Sequence, residues 1–546
     1  MTLNQSRAKV LICGFIGFAF LAGLFGYHSF VNRKCTAYPW WYEQGNDGDG
    51  INVTQALTLV NNGDLTCVSQ PAGTVYALHG ALYRGLCVFS KPHCPLMQLD
   101  KVPGPAAAFD LLDAAMRASR VLTYFIYLTL LVVFWMLLSR LSNSRCMGFF
   151  GAAFFMATPM MLEKLHIIRS ELISFTFVAA MLAMVLYYRE KKSLPAEMLW
   201  GGIIGVLAGL AIFAKILVLP EVFGVIVLWL FWQSGLRGPA ESRRISAFAV
   251  LAAVFNFLIM PWHWLRRPDL LTDAYLKTFY PGGDEIRVYG PVPATLAPLF
   301  AVILGTALVA AALALFRRKI QPQLARVAFR INCAATGMVF SCYFIFFPLG
   351  MNYHSYAAAS NHLLYATMTN VLYGAFLQHK VTWDTLQYSI GLHAGSQLFG
   401  MSILRYVTAA ALGSLLRISL RTTPDKRPYY GVLVFFAAGF FMDIISSMRW
   451  VGNHILSSYG IYSLSCHVLG LGLWLGTECG RLGRLGRAAR IMICALLAIH
   501  LISRAVFFIN HFKASGQVVD QTPEQEIRNT LSHVRPFWSI VSRGQL

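Results

Sequence analysis

The stretch that decides the fold class is "SRVLTYFIYLTLLVVFWMLLSRLSNSRCMGFFGAAFFMATPMML", residues 119–162. It contains two apolar runs, 119–138 and 147–162, on either side of a short segment that carries Arg140 and Arg145. An α-helix of about 20 apolar residues is long enough to cross ~30 Å of hydrocarbon. The pattern therefore predicts two membrane-spanning helices joined by a basic loop.

The same pattern recurs along the whole 546-residue chain, which is 57% hydrophobic and only 13% charged. Soluble domains carry about 25% charged residues. We therefore predict an all-α polytopic membrane protein with about thirteen transmembrane helices. The predicted spans are 10–30, 119–138, 147–162, 171–188, 198–214, 219–234, 245–263, 293–316, 329–350, 402–419, 429–448, 458–477 and 490–510.

The net charge of +21 reflects topology rather than a nucleic-acid partner, because the cations cluster in short loops between the spans. Such loops are cytoplasmic by the positive-inside rule, and anionic membrane lipids attract them. The first run, 10–30, is long and lacks a nearby cleavage site, so we interpret it as a retained helix. The basic loops contain Arg140 and Arg145; Arg189, Lys191 and Lys192; Arg237, Arg243 and Arg244; Arg317, Arg318 and Lys319; Arg417, Arg421, Lys426 and Arg427; Arg481, Arg484, Arg487 and Arg490.

This topology predicts a cytoplasmic N-terminus and extracytoplasmic segments at 31–118, 264–292 and 351–401. The organisation that we expect is a first transmembrane helix (1–30), a first extracytoplasmic loop (31–118), a transmembrane module (119–350), a second, more variable transmembrane module (351–510) and an extracytoplasmic tail (511–546).

Four cysteines, Cys35, Cys67, Cys87 and Cys94, lie in the first loop. Cysteines in an extracytoplasmic loop favour disulfides, and four of them allow three pairings. Pairing Cys87 with Cys94 and Cys35 with Cys67 needs the shortest loop closures. The alternative is that all four are free thiols.

Charged residues also occur at the predicted outer boundary, where the positive-inside rule does not require them. Each one alone has a structural explanation, such as a lysine that extends to the headgroups. Together they place cations where a lipid phosphate would lie, and cations bind phosphate through charge-assisted hydrogen bonds. They are Glu163, Lys164, His166, Arg169, Glu171, Lys215, Glu221, Arg405, Arg449 and His454.

The first loop supplies two acids, Asp47 and Asp49, in "NDGDGINVTQ". A carboxylate beside phosphate-binding cations is suited to act as a general base. This chemistry is glycosyl transfer from a lipid-phosphate sugar, with cations that stabilise the leaving phosphate. It needs no nucleotide site, and the sequence contains no P-loop. The alternative is an Asp-Gly turn that merely begins a surface helix.

The order of these segments resembles the GT-C superfamily of integral membrane glycosyltransferases. "NDGDGINVTQALTLVNNGD" is followed by "QPAGTVYALHGALYRG", which is similar to the family's HPPG-like turn with Gln70 in place of histidine. "ATPMMLEKLHIIRSELISF" resembles the entry to the fourth span, with Glu171 where aspartate is more usual, and Lys215 matches a frequent lysine. Later on, only Arg405 and Tyr406 match.

The resemblance, closest to the lipid A aminoarabinose transferase and the protein O-mannosyltransferases, implies an enzyme with a polyprenyl-phosphate sugar donor and inversion. A glycan, lipid or protein is the acceptor. The resemblance implies a bacterial inner-membrane or eukaryotic ER enzyme, and a bacterial inner membrane with a periplasmic active site is favoured. Asp49 matches the family's catalytic acid by its spacing to Gly63, and Asp47 competes with it. Glu171 is a further catalytic candidate. Lys215, Arg169, Arg405 and Lys164 are the donor-phosphate candidates.

Two other functions are open. Asp443, an acid inside an apolar run, would suit a transporter or flippase of lipid-linked sugars, although the sequence shows no internal repeat. An O-antigen ligase or polymerase would place its main loop late in the chain, whereas here the longest predicted loop is the first. The sequence requires no cofactor, and a divalent metal is left open by the departures at Gln70 and Glu171.

Overall fold

The structure is a computed structural model, and all of the regular structure in its described residues is helical. This confirms the predicted all-α class. The described residues are 16–27, 29, 49–62, 73–89, 96, 105–166, 168–187, 194–215, 218–231, 322–343, 400–420, 425–449 and 456–514.

The helices are α1 (Ile16–Tyr27), α2 (Asp49–Asn62), α3 (Gly73–Phe89), α4 (Pro105–Ser142), α5 (Arg145–Met156), α6 (Pro159–His166), α7 (Ser170–Tyr187), α8 (Leu194–Ala214), α9 (Leu219–Phe231), α10 (Pro322–Tyr343), α11 (Gly400–Ser419), α12 (Arg427–Arg449), α13 (Leu456–Arg481) and α14 (Gly483–Ala514). Three stretches of the described residues are long and apolar enough to cross a membrane: Asp110–Ser142, Ser170–Tyr187 and Gly483–Ser503. The chain is an integral membrane protein. The predicted spans 245–263 and 293–316, the predicted segment 264–292 and all but the last two residues of the predicted segment 351–401 lie outside the described residues, so the number of spans stays a prediction.

Two predicted spans have different limits in the structure. Helix α4 begins at Pro105 rather than at 119, because proline suits a first helical position and the alanines that follow favour a helix. The predicted span 147–162 is broken after Met156, and α6 begins at Pro159. Proline lacks the N–H that would continue α5, and its ring clashes with the preceding turn.

The chain divides into two compact units, and unit 1 comprises Met1–Ile51, Phe109–Leu172 and His379–Val534. Helices α4 and α5 form an antiparallel hairpin, in which Phe134 stacks on Phe155 with ring centroids 4.3 Å apart. Near its turn, a Cβ on Gly148 would lie 2.1 Å from Ser139 Oγ. Glycine is therefore required for this close approach of the two helices.

The other helices of unit 1 alternate in direction, as the basic loops predicted. Helices α11 and α13 run parallel, since Gly413 faces Trp474 and Arg417 reaches Glu478. Helix α12 is antiparallel to them, because Gly431 meets Leu473 and Gly439 meets His467. Helix α4 runs parallel to α13, with Leu138 against Gly472 and Ser142 against Gly476.

The arginine-rich turns therefore lie at the same end of unit 1, which we call the basic end. The α4–α5 turn, the C-terminus of α11, the N-terminus of α12 and the α13–α14 turn all lie there. The last of these turns is tight, because Gly483 has φ +56° and Gly486 abuts the carbonyl of Cys479. The basic end contains Arg140, Arg145, Arg417, Lys426, Arg427, Arg481, Arg484, Arg487 and Arg490.

Unit 2 comprises Asn52–Ala108, Ile173–Gln378 and Arg535–Leu546. Helices α8 and α10 run parallel and very close, since a Cβ on Gly205 would lie 2.1 Å from the carbonyl oxygen of Ala334. Such contacts between small residues are typical of helix pairs in membranes. Helix α10 also contacts α9, because buried Arg330 donates a 2.7 Å hydrogen bond to the carbonyl of Trp229.

Candidate active site

Three of the predicted site residues, Lys164, Arg169 and Glu171, lie together in unit 1 where α6 passes into α7. The side chain of Lys164 is completely buried, and that of Glu171 is 2% exposed. Arg169 lies in the short connection and is half-buried. The structure therefore places a fully buried cation and a buried carboxylate seven residues apart, in a region where the sequence predicts site residues.

The local fold explains how these residues are positioned. Pro159 starts the short helix α6, and Lys164 projects from its second turn. The chain leaves α6 after His166 and enters α7 at Ser170, which puts Glu171 in the first turn of α7. The N-terminus of a helix carries a partial positive charge, so it stabilises a carboxylate at this position.

A fourth charge, Arg120 on α4, is 1% exposed and was not among the predicted site residues. Its position along unit 1 follows from two contacts. Tyr127 donates a hydrogen bond to the carbonyl of Met156 at the end of α5, and Phe25 of α1 packs edge-on against Tyr127 at 5.2 Å. Arg120 precedes Tyr127 by seven residues, which is about 10 Å along the helix.

The direction of that displacement is toward α6. Helix α1 runs alongside α5 and α6, since Gly17 meets Phe149 and Ser29 donates a 3.3 Å hydrogen bond to the carbonyl of Leu165. Because α4 is antiparallel to α5, the step from Tyr127 to Arg120 follows the step from Phe25 to Ser29. Arg120 therefore lies at the end of unit 1 that holds Leu165, opposite the basic end.

We call Arg120, Lys164, Glu171 and the half-buried Arg169 the buried charged group. Each of the four has an interaction within the structure, so each is held in place. Cations outnumber carboxylates by three to one in this set. Buried charges are costly unless they are compensated, and within membrane proteins they usually mark a functional site. An anion such as a phosphate matches this excess of positive charge.

Lys215 belongs to unit 2 and directly follows α8. Its backbone N–H donates a hydrogen bond to the carbonyl of Ala211, which continues the helical pattern. Its side chain is half-buried. Thr74 Oγ1 donates a 2.9 Å hydrogen bond to the carbonyl of Leu210, which fixes the start of α3 beside the last turn of α8. Unit 2 therefore brings the residue that follows the predicted 70–73 turn near the helix end that carries Lys215.

His79, five residues after Thr74 on α3, is a buried group that the sequence did not single out. Its ring is 0% exposed, and neither nitrogen has a hydrogen-bond partner among the described residues. Burial lowers the pKa of His79 to about 3, because a low-dielectric environment disfavours the charged imidazolium. The imidazole is therefore neutral at physiological pH.

The remaining predicted site residues are positioned only in part. Asp49 is the first residue of α2, Arg405 lies in α11, and Asp47 is outside the described residues. Helix α2 is not the surface helix of the alternative interpretation, because Val53 and Ala56 are fully buried. The roles of these residues stay predictions.

The disulfide pairing and the metal also stay predictions. Cys87 lies in α3 and is disulfide-bonded, whereas Cys35, Cys67 and Cys94 are outside the described residues. The other cysteines that the structure describes are free thiols, so the partner of Cys87 lies outside the described ranges and is not identified. Within the same ranges, no three His, Cys, Asp or Glu side chains are grouped as metal ligands.

Two buried residues that the sequence analysis missed had weak signals. Arg120 follows Arg117 at the edge of an apolar run, where a single arginine looks like an ordinary flanking charge. His79 is one histidine among apolar and small residues, a pattern that is typical of a helix core. The continuation of α4 back to Pro105 places Arg120 well inside a helix rather than at its edge.

No protein-family model and no curated protein matches the sequence. Among solved structures, the chain is similar to ArnT from Cupriavidus metallidurans bound to undecaprenyl phosphate. The identity is 15%, the TM-score is 0.28, and the match covers 87% of this chain and 78% of the other. ArnT from the same organism in the apo state matches with 15% identity, a TM-score of 0.26 and the same coverage.

Proposed function

We propose that this protein is a membrane glycosyltransferase of the GT-C type, which moves a sugar from a polyprenyl-phosphate-linked donor to a glycan, lipid or protein acceptor. The reaction would take place at the outer face of the membrane, in the cell envelope. A bacterial inner membrane with a periplasmic site is the location that fits this chemistry.

The observation that carries the proposal is the buried charged group in unit 1. Arg120 and Lys164 are 1% and 0% exposed, and both lie at the end of the unit opposite the basic end. If the basic end is cytoplasmic, as the positive-inside rule predicts, this group lies at the outer boundary. A polyprenyl phosphate has its charged headgroup at that depth.

In the reaction that we propose, the cations bind the donor phosphate and stabilise the negative charge that develops as it leaves. The Asp49 carboxylate takes the proton from the acceptor hydroxyl or amine. The acceptor atom bonds to the anomeric carbon while the bond from that carbon to the phosphate oxygen breaks. The products are the glycosylated acceptor and the polyprenyl phosphate, and a single displacement inverts the anomeric centre.

Glu171 is suited to a supporting role. Its carboxylate is buried in the first turn of α7, close in sequence to Arg169 and Lys164. We propose that it orients these cations toward the phosphate, or orients the acceptor.

The first experiment compares lipid-linked sugars and surface glycans by mass spectrometry with and without the protein. A glycosyltransferase predicts loss of one sugar from the acceptor and accumulation of its lipid-linked donor. The purified protein in detergent should then transfer that sugar. A flippase would fail in detergent, since moving a lipid between leaflets needs a sealed membrane, and that outcome would favour the transporter alternative.

A second experiment tests the membrane side. Cys146 is exposed at the basic end, next to Arg145, and is a native probe. A membrane-impermeant maleimide should label it only after the cells are permeabilised. Phe89, 89% exposed at the end of α3, offers the opposite probe. Phe89→Cys should be labelled in intact cells, and labelling of Cys146 instead would invert the proposed topology.

A further inference from the structure

Helix α14 is the most exposed of the long apolar helices that the structure describes. Only 6% of its most apolar window, within Gly483–Ser503, is buried, whereas 72% of the window in Ser170–Tyr187 is buried. One side of α14 packs against α5 and α13. The exposed apolar side chains on α14 are Leu485, Ile491, Met492, Leu496, Ile499 and Ile502.

Two arginines continue this apolar surface at the basic end. Arg484 and Arg487 are both exposed, and with Ile491 they have the spacing i, i+3, i+7 that puts side chains on one helix face. Ile502 follows Arg484 by five helical turns and therefore lies on the same face. The surface therefore reads as a pair of cations followed by an apolar strip about 16 Å long between Ile491 and Ile502.

The α13–α14 turn, which carries these arginines, is held in place by two consecutive hydrogen bonds. Arg481 donates a 2.9 Å hydrogen bond to the hydroxyl of Tyr429, and that hydroxyl donates a 2.9 Å hydrogen bond to Glu478. Tyr429 is 0% exposed. These contacts join the end of α13 to the start of α12, so the start of α14 is anchored rather than free to move away.

We propose that this face, Arg484, Arg487 and the apolar strip from Ile491 to Ile502, binds an anionic phospholipid. The headgroup phosphate lies between the two guanidinium groups, which match its geometry in a bidentate manner. The acyl chains lie along the strip. The negative headgroup complements a basic end that holds nine cations, with Asp425 and Glu478 as its described carboxylates.

This proposal predicts selectivity, not merely contact with lipid. Any exposed apolar helix face contacts acyl chains in a bilayer. The arginine pair adds about 1 kcal/mol per cation for an anionic headgroup near the surface, which is about fivefold in preference for each arginine. Two arginines therefore give a preference of about thirtyfold for an anionic over a zwitterionic lipid.

Native mass spectrometry of the full-length protein tests it, with equal amounts of phosphatidylglycerol and phosphatidylethanolamine in the detergent. The wild-type protein should retain phosphatidylglycerol preferentially, and Arg484→Gln with Arg487→Gln should lose about thirtyfold of that preference. The matched control is Arg140→Gln with Arg145→Gln, two exposed arginines at the same end on α4 and α5. That variant should stay within about twofold of the wild type, because Arg484 and Arg487 alone make the proposed phosphate contacts.

Three results would overturn the proposal. Equal losses in both double variants would mean that net charge alone attracts the lipid. Displacement of the lipid by free glycerol phosphate at the same concentration would mean that the arginines recognise a soluble phosphate. A dimer that forms in the wild type and is lost in Arg484→Gln with Arg487→Gln would assign the face to a second copy of the chain. Thermal unfolding of each variant checks that the proteins remain folded.

Discussion

The two ends of unit 1 carry similar residues in opposite environments. At the basic end Arg484 and Arg487 are exposed, and Arg417 and Glu478 form a half-exposed ion pair. At the other end Lys164 and Glu171 are buried. Charge in water costs little to maintain, whereas a buried charge costs several kcal/mol unless its surroundings compensate it. Burial, rather than charge itself, therefore distinguishes a candidate site from a topological signal.

The largest expected effect is at Asp49, which we propose as the general base. Asp49→Asn keeps the size of the side chain and can still begin α2, but it removes the basicity. Loss of a general base costs ~10²–10⁴-fold in rate. Single-turnover transfer, measured with saturating donor, should show this loss while the donor still binds.

The control is the neighbouring acid, Asp47→Asn, at matched expression. A milder effect there supports the assignment of the base to Asp49. Full activity of Asp49→Asn would end that assignment, and a loss confined to Asp47→Asn would transfer the role to its neighbour.

The second prediction compares the two ends directly through two lysines. Lys164→Met keeps most of the buried volume but removes a cation from the proposed phosphate site, so we expect turnover to fall by about 10²-fold. Lys426→Met removes a half-exposed cation at the basic end, and turnover should stay within about twofold. The measurement is the rate of sugar transfer by each purified variant.

Lys164→Arg sharpens the test, because it restores the charge with a different shape. Partial recovery of turnover would indicate a phosphate ligand. Equal activity of Lys164→Met and the wild type would mean that the buried charge only supports folding.

Much of the fold could be predicted from the sequence, because apolar runs are stable in the hydrocarbon of the membrane and basic loops are stable in the water beside it. The alternation of α4, α5, α12 and α13 follows from Arg140, Arg145, Arg427 and Arg481 alone. The break at Pro159 was missed, since an average over an apolar window does not register one proline.

Candidate site residues could be predicted from the sequence only where charged residues interrupt the apolar runs. Lys164 and Glu171 stand out between two apolar runs, and the structure shows that both side chains are buried. Arg120 did not stand out, because its surroundings include α1, which contacts α4 and α6 and is far from Arg120 in sequence. Likewise, no local pattern distinguishes a neutral core histidine such as His79 from a ligand.

The third prediction concerns that histidine, a buried titratable group in unit 2. Its pKa of about 3 in the folded state lies below the ordinary histidine pKa of 6.5. The unfolded chain therefore binds more protons as the pH falls, and the stability from neutral His79 is full above pH 6.5. This stability is lost as the pH falls from 6.5 toward 3, by at most about 1.4 kcal/mol per pH unit.

His79→Met removes the titrating group and keeps an apolar side chain of similar volume. The thermal unfolding midpoint of the wild type should fall relative to that of the variant between pH 6.5 and pH 4, with the same detergent throughout. Parallel midpoints across this range would show that His79 is solvated or charged in the folded protein.

The smallest effect is expected at Glu478, on the exposed side of the comparison. Its carboxylate lies 3.4 Å from Arg417, and the two side chains are 18% and 37% exposed. An ion pair this accessible to water contributes about 0.5–1 kcal/mol. Glu478→Gln keeps an acceptor for the Tyr429 hydroxyl, so the unfolding midpoint should fall by about 1–3 °C. Added salt should narrow the gap to the wild type, because ions screen exposed pairs.

Turnover in Glu478→Gln should be unchanged, because the residue lies at the end of unit 1 opposite the buried charged group. A tenfold loss of turnover with a normal unfolding midpoint would contradict the contrast between the two ends of unit 1, since it would mean that an exposed ion pair affects catalysis. A loss of stability that salt does not reduce would also contradict it, because it would place Glu478 in an environment as dry as that of Lys164.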